Sequence, residues 1–222
     1  KIYFQGSFGA YSHIAAIATE PNAEIIPCKT FDECFLKASS EIDSRIIIPE
    51  SNRITGNIGI EYLIFKYRLN IYAEHFQTIE HNLLGQPDSS LSDIKDVFSH
   101  TQGLSQCSKF IKKNNLAEHV RADTAGSAEI ISKNKIKSEA AIASSLSAKI
   151  YNLKILVPNI ENESGNATRF LVMGEKILQP EFADKKYITS FLFKLKSKPA
   201  ALYQSLAGFA INGVNLTKLQ SY

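Results

Sequence analysis

The run Gly165-Asn166-Ala167-Thr168-Arg169-Phe170 sets a hydroxyl, a guanidinium and an aromatic ring at the mouth of an apolar segment. An arginine grips a carboxylate through two charge-assisted hydrogen bonds, each worth about 1.5–3 kcal/mol, and the amides of a Gly-Asn turn can add to that grip. The segment therefore reads as an anion site. The plainer alternative, a strand start with an exposed arginine, fits these residues equally well. A second candidate is Gly6 to His13, a glycine loop running into a helix. It is too short for a dinucleotide or Walker loop, but its amides suit a carboxylate at a helix N-terminus. His13 and His100 are expected to be satisfied structural histidines or cleft-lining donors rather than proton carriers. No Ser/His/Asp order or HExxH spacing favours a nucleophile or a metal. Cys28, Cys34 and Cys107 are odd in number and lack metal-ligand spacing, so neither zinc nor a disulfide framework is expected, and a reducing compartment suits them.

These groups need elements to hold them. Short β-branched runs alternate with segments of helical period, the pattern of an α/β domain with a largely parallel sheet. Lys1 to Phe4 reads as strand and Tyr11 to Thr19 as helix, followed by strand Glu24 to Ile26. The sequence Thr30-Phe31-Asp32-Glu33 then opens a helix with a capping-box signature, and Arg45 to Ile48 reads as a buried strand stopped by Pro49. A helix near Ile60 to Tyr67 leads into Asn70 to Leu84, too long for one strand and suited to crossing from one lobe into another, with turn signals at Gly85 to Asp88. The second lobe is expected to hold strands at Val97-Phe98, His119 to Ala122 and Ala140 to Ile142, with helices at Gln102 to Lys113, Ala125 to Lys133 and Ser144 to Tyr151. Lys154 to Val157 and Thr168 to Met173 are extended again and are expected to return to the first lobe. Gly174 to Lys186 reads as a linker, and strand Tyr187 to Leu195, helix Pro199 to Ile211 and strand Val214 to Leu219 form half of a ferredoxin-like unit.

The Asn166 to Phe170 block resembles the Asn-x-Thr-Arg-Phe signature of prephenate dehydratases. Gly6, Gly9 and Ser12 resemble the Gly-x-x-Gly-x-x-Ser loop of that family, and Ser99 to Cys107 is similar to its Ser-His-x-Gln-x-Leu-x-Gln-Cys stretch. Asp123 to Ala128 and Ala140 to Ser144 are similar to two further family blocks, and the matches come in family order along nearly the whole chain. The resemblance implies a fold of two lobes like a periplasmic binding protein, with residues 1–78 and 156–176 in lobe one, residues 79–155 in lobe two, and substrate held between them. It implies an enzyme that converts prephenate to phenylpyruvate without metal or organic cofactor, with arogenate as the near alternative substrate. Thr168 and Arg169 are the residues it ties to catalysis, and Ser12, Asn52, Arg53, Ser99, Gln106, Asn166 and Phe170 are those it ties to substrate. The chief departure lies at Pro49-Glu50-Ser51-Asn52-Arg53, where the family shows Pro-x-Glu-Asn-Ser. Ser51 stands for the Glu and Arg53 for the Ser, which leaves open a two-lobed binding protein that has lost turnover.

Pro199 to Leu202 and Asn215 to Ser221 resemble blocks of ACT domains fused to these enzymes, with Ala200 in place of a Gly and Gln220 in place of a Glu. The resemblance implies an incomplete ACT module over residues 187–222 that takes L-phenylalanine as effector through Ala201, Leu202, Asn215 and Leu216, in a homodimer or homotetramer. A net charge of +3 is spread along the chain, and Lys112-Lys113 and Lys133 to Lys137 read as solvated helix ends, so no nucleic-acid partner is expected. No apolar run of the roughly 18 residues a membrane helix needs is present, and the N-terminal residues do not read as a secretory signal, so no membrane partner and a cytoplasmic location are expected.

Overall fold

A computed structural model describes residues 1–177, 187–191 and 193–221. The chain divides into a unit of Lys1–Gln179 and a unit of Pro180–Tyr222. Most of the expected linker, residues 178–186, lies outside the described residues.

The larger unit is two α/β lobes. Lobe one begins β1 (Ile2–Gln5), α1 (Tyr11–Thr19), β2 (Ile25–Cys28), α2 (Phe31–Ser40), β3 (Arg45–Asn52), β4 (Gly56–Asn57), α3 (Glu61–Tyr67) and β5 (Asn70–Thr78). Lobe two follows with β6 (Asn82–Gly85), β7 (Asp96–Ser99), α4 (Thr101–Gln106), α5 (Ser108–Lys113), β8 (Ala117–Val120), α6 (Thr124–Asn134), β9 (Glu139–Ala143), α7 (Ser145–Ile150) and β10 (Lys154–Val157). The strand β11 (Ala167–Gly174) then completes the first sheet, whose order is β2-β1-β3-β11-β5 with β4 on β3, while the second runs β10-β6-β9-β7-β8. The extended run through Leu84 does cross between lobes, at residues 79–81. Lys154–Val157, expected to return to lobe one, instead pairs antiparallel with β6 and stays in lobe two. The return is made by β11 alone.

Neither sheet is largely parallel. The pairs β1/β2, β1/β3, β7/β8 and β7/β9 are parallel, but β11 runs antiparallel to both β3 and β5, and β6 antiparallel to β9 and β10. A chain that enters and leaves a lobe through one hinge must run against the parallel strands there, a constraint that local periodicity does not carry. The cores follow the sheet faces. Ile46, Ile48, Leu171 and Met173 pack with Phe35 under α2 and α3, and Ile47, Phe170 and Val172 pack with Phe4, Ala15 and Ala16 under α1. Lobe two is filled by Leu83, Val97, Leu104, Ile111 and Ile142 on one face and Leu84, Phe98, Ala128 and Ile131 on the other. At the start of α2, Thr30 accepts from the Glu33 amide at 3.1 Å as the capping pattern predicts, while Glu33 reaches one residue further back, to the Lys29 amide at 2.8 Å. The single helix expected over Gln102 to Lys113 is two, broken at Cys107, and the strand expected at His119 lies two residues earlier.

Pro49 does not stop β3. The strand continues to Asn52 because the register against β11 skips a residue: Phe170 faces Pro49, Arg169 faces Ser51 and Thr168 faces Asn52, with Glu50 as the extra residue of a β-bulge. A proline without an N–H is tolerated where the ladder is already interrupted.

In the smaller unit, α8 (Ala201–Ile211) forms as expected, and Phe191 lies against Phe193 and Phe209 with ring centroids 5.7 and 5.5 Å apart. The strands expected at Tyr187 to Leu195 and Val214 to Leu219 are not formed among the described residues, and Leu192 lies outside them. In a split βαβ unit the two strands beside the first helix are not neighbours; each needs a further strand between them to satisfy its backbone, and none is formed among the described residues of this unit.

The lobes are fastened at the Gly6 to Gly9 loop. The Gly9 carbonyl accepts from Ser144 Oγ at 2.6 Å and Ser147 Oγ at 3.0 Å, Tyr151 Oη donates to the Phe8 carbonyl at 2.8 Å, and Ser7 Oγ donates to Asp123 at 3.3 Å. Gly9 holds φ +92°, and a Cβ there would lie 2.5 Å from Ser147 Oγ. Gly9→Ala should cost roughly 1–3 kcal/mol for the backbone conformation alone, with the contact adding to it. The melting temperature should fall by roughly 2–12 °C for a domain of this size. Gly56→Ala, at φ +81° in open space, should cost less; equal losses in a thermal melt would remove the contact from the account.

Candidate functional site

The bulge at Glu50 decides what β3 presents. In a regular strand Asn52 would share a face with Ile46 and Ile48; the extra residue moves it to the face of Ile47 and Thr168. There Asn52 Nδ2 donates to Thr168 Oγ1 at 2.8 Å. The orientation of that amide is fixed from behind, because Asn52 Oδ1 accepts from the Ile54 and Thr55 amides at 3.0 and 3.1 Å. An amide NH2 only donates, so the Thr168 oxygen is the acceptor and its own hydrogen is free for a further partner. Thr168 is 7% exposed, so the hydroxyl acts from a nearly water-free position.

Arg169 turns to the opposite face. Its Nε donates to Glu74 at 2.7 Å and its Nη1 to Glu50 at 3.3 Å, and Ser51 Oγ donates to the same Glu50 oxygen at 2.5 Å. The guanidinium thus ties β11 to β5 and to the bulge. Arg53 Nη1 donates to the Gly165 carbonyl at 3.0 Å and holds the turn ahead of β11.

A chain of polar groups runs through the hinge. Tyr11 on α1 donates to the Glu80 carbonyl at 2.6 Å and lies 3.1 Å from His81 Nδ1; His81 Nε2 lies 2.8 Å from Gln106 Oε1, which also accepts from Asn166 Nδ2 at 3.4 Å. The His81 amide donates to Glu161 at 3.0 Å. Asn166 is 3% exposed, and its Oδ1 is the buried side-chain oxygen left without a hydrogen-bond partner among the described residues. Asn166 and Gln106 line a cavity of about 200 Å³ with Ile54, Ser105, Glu161, Asn162 and Glu163. Asn166 immediately precedes β11, two residues before Thr168.

The remaining predicted residues lie elsewhere. Phe170 is 2% exposed in the lobe-one core, and Ser99 is fully buried with its hydroxyl donating to the Ile142 carbonyl at 2.7 Å. Ser12 is buried near the start of α1. Of the Gly6 to Gly9 amides, expected to meet a carboxylate, two are engaged internally: Gly6 donates to the Cys28 carbonyl and Gly9 to His13 Nδ1. His13 is stacked on Phe4 with centroids 5.3 Å apart, and His100 caps α4 by accepting from the Gln102 amide. Ala201 and Leu202 lie in the first turn of α8, and Asn215 and Leu216 are exposed beyond it. Sequence reasoning passed over Tyr11, His81 and Glu161. The signal was present in His81-Asn82, two polar residues inside the apolar crossing run.

These features meet those of known proteins. A family model described as prephenate dehydratase matches residues 2–177. The chain belongs to the prephenate dehydratase family. It is 37% identical to arogenate dehydratase 2 of Petunia hybrida over 222 residues, all of this chain and 56% of that protein. It is 34% identical to a bifunctional N-acyl-homoserine lactone acylase/prephenate dehydratase of Komagataeibacter europaeus, covering 79% of it. The chain therefore spans little more than half the length of its plant relatives. The solved prephenate dehydratase of Arthrobacter aurescens shares the fold, with a TM-score of 0.85 at 23% identity over all of this chain and 75% of that one. The two-lobed α/β architecture of the family is the one seen here.

Burial holds the His81 and His13 imidazoles below their ordinary value of 6.5. As pH falls below about 6.5 the unfolded chain therefore binds protons that the folded chain refuses, and stability declines. Urea midpoints measured from pH 7.5 to 5.5 should drop, and His81→Gln should flatten part of that slope. An unchanged slope would assign the acid sensitivity elsewhere.

Proposed function

We propose that the chain is the catalytic part of a prephenate or arogenate dehydratase, and that the Asn52–Thr168 pair carries the reaction. In this reaction the bond from the ring to its carboxylate breaks and releases carbon dioxide. The electron pair moves into the ring, the ring hydroxyl leaves with one added proton as water, and the ring becomes aromatic. The departing oxygen needs a hydrogen-bond donor, and aromatisation supplies most of the driving force, so catalysis is positioning and local electrostatics. Thr168, with its oxygen taken by Asn52 and its hydrogen free, has the required polarity. It is too weak an acid to give its proton away fully at neutral pH, so it supports the leaving oxygen by donation while water completes the transfer. The rest of the family reading joins this proposal: L-phenylalanine as effector through Ala201, Leu202, Asn215 and Leu216, a homodimer or homotetramer, and a cytoplasmic setting consistent with the three buried free cysteines. The solved Arthrobacter relative carries L-Phe, which supports the effector part.

A binding protein without turnover, the rival reading raised by Ser51 and Arg53, is disfavoured by the bulge. It lets Glu50 supply the carboxylate beside Arg169 that Ser51 lacks. Incubation with prephenate or arogenate should yield phenylpyruvate or phenylalanine. Thr168→Ala should lower kcat by roughly 10²–10³ with KM little changed, the scale of losing one transition-state donor. Thr168→Ser should keep most of the rate. Asn52→Asp, whose carboxylate would draw the Thr168 proton onto itself, should fall nearly as far as Thr168→Ala. Full activity in Thr168→Ala would remove the hydroxyl from the chemistry.

A further inference from the structure

The cavity beside Asn166 has an unexpected polarity for a reaction on a dianion. Its lining residues include two carboxylates, Glu161 and Glu163, and no lysine or arginine. The other polar groups in the lining are mostly spent. Asn162 Nδ2 donates to the Ser105 carbonyl at 3.1 Å and to Ser108 Oγ at 2.9 Å, and its Oδ1 accepts from the Lys109 amide at 2.9 Å. Gln106 Oε1 is shared between His81 and Asn166. Unspent among the described residues are the buried Asn166 Oδ1, the Glu163 carboxylate, the second oxygen of Glu161, the Ser105 hydroxyl and the Gln106 amide nitrogen. Three of these five, the carboxylates and the buried amide oxygen, are acceptors only.

A buried acceptor without a donor costs about 1–3 kcal/mol, and a ligand that brings the donor recovers it. A keto acid brings none at its keto carbon and would set further negative charge against Glu161 and Glu163. An amino acid brings an ammonium with three N–H donors and a positive charge. From this shared lining we infer that Asn166 Oδ1 and Glu163, with Glu161 in the same cavity wall, form an ammonium subsite that makes the chain select the amino-acid form of its ring substrate, arogenate, over the keto-acid form. The inference rests on the dehydratase reading and adds the residues that choose between its two substrates. Charge is the discriminating element, since the two acids are otherwise alike in shape and in their carboxylates.

Glu163 is exposed and among the described residues has no ion-pair partner, so Glu163→Gln should leave the fold intact. The test measures kcat/KM for both acids in the unaltered chain and in Glu163→Gln, with Glu161→Gln/Glu163→Gln as the second variant. The unaltered chain should favour arogenate by at least tenfold. Glu163→Gln should erase most of that preference through a higher KM for arogenate, a loss of roughly ten- to a hundredfold for a hydrogen bond to a charged group, while turnover of prephenate holds or improves. A melting curve matching that of the unaltered chain keeps the comparison fair. Preference for prephenate in the unaltered chain, or an arogenate preference that survives both variants, would overturn the ammonium subsite and leave the dehydratase reading standing. Turnover of neither acid by the unaltered chain would overturn the dehydratase reading, and the subsite with it.

Discussion

One extra residue in a strand sets the character of the site. Side chains of a strand alternate between faces, so inserting Glu50 exchanges the faces of everything that follows it. Without the bulge, Asn52 would point toward α2 and α3 and Thr168 would lose the donor that fixes its hydroxyl. With it, Asn52 meets Thr168, Ser51 and Glu50 meet Arg169, and Pro49 rests where its missing N–H leaves no gap in the ladder. The ion pairs of Arg169 with Glu50 and Glu74 hold the bulge from the far side of the sheet. The arginine that the sequence marks as a ligand for anions is paired here with Glu50 and Glu74 of lobe one.

How much of this was legible from the sequence differs element by element. The helices α1, α2, α6 and α8 follow from apolar spacing and capping residues, and the crossing near residue 79 follows from an extended run too long for one strand. The sheet directions were not legible, because antiparallel pairing of β11 is a matter of how the chain returns and leaves no mark on local periodicity. The bulge was hidden for a related reason: Pro49 reads as a stop in any strand that stays in register, and only the opposing strand reveals that the register slips. Of the site residues, Thr168, Asn52, Gln106 and Asn166 were identified through the family resemblance, and the structure brings Asn52 to Thr168 and Gln106 to Asn166. Phe170 and Ser99, from the same blocks, lie buried within the lobes. His81 escaped since a lone histidine in an apolar run has no periodic signature of function.

Immediately around Thr168 the electrostatics are quiet, the carboxylates Glu161 and Glu163 lying in the cavity beside Asn166. Arg169 is paired with two carboxylates, burial pushes the His81 and His13 imidazoles below their ordinary value, and Thr168 is held by the Asn52 amide. A neutral, nearly dry setting makes each remaining hydrogen bond count for more than it would in water. It also leaves the orientation of a few amides as the main quantity the fold must control, which explains why Asn52 is held by two backbone N–H groups.

The route of the chain also has a temporal consequence. β11 lies between β3 and β5, so β5 has no ladder neighbour until residues 167–174 have been made. Lobe two, by contrast, is a continuous stretch whose strands all lie between residues 82 and 157. On the ribosome lobe two can close while the first sheet still stands open at its edge, and the last strand to emerge both finishes that sheet and delivers Thr168 to Asn52. Site assembly and completion of the fold are then the same event, and a chain halted before residue 167 would carry one finished lobe and no hydroxyl to position.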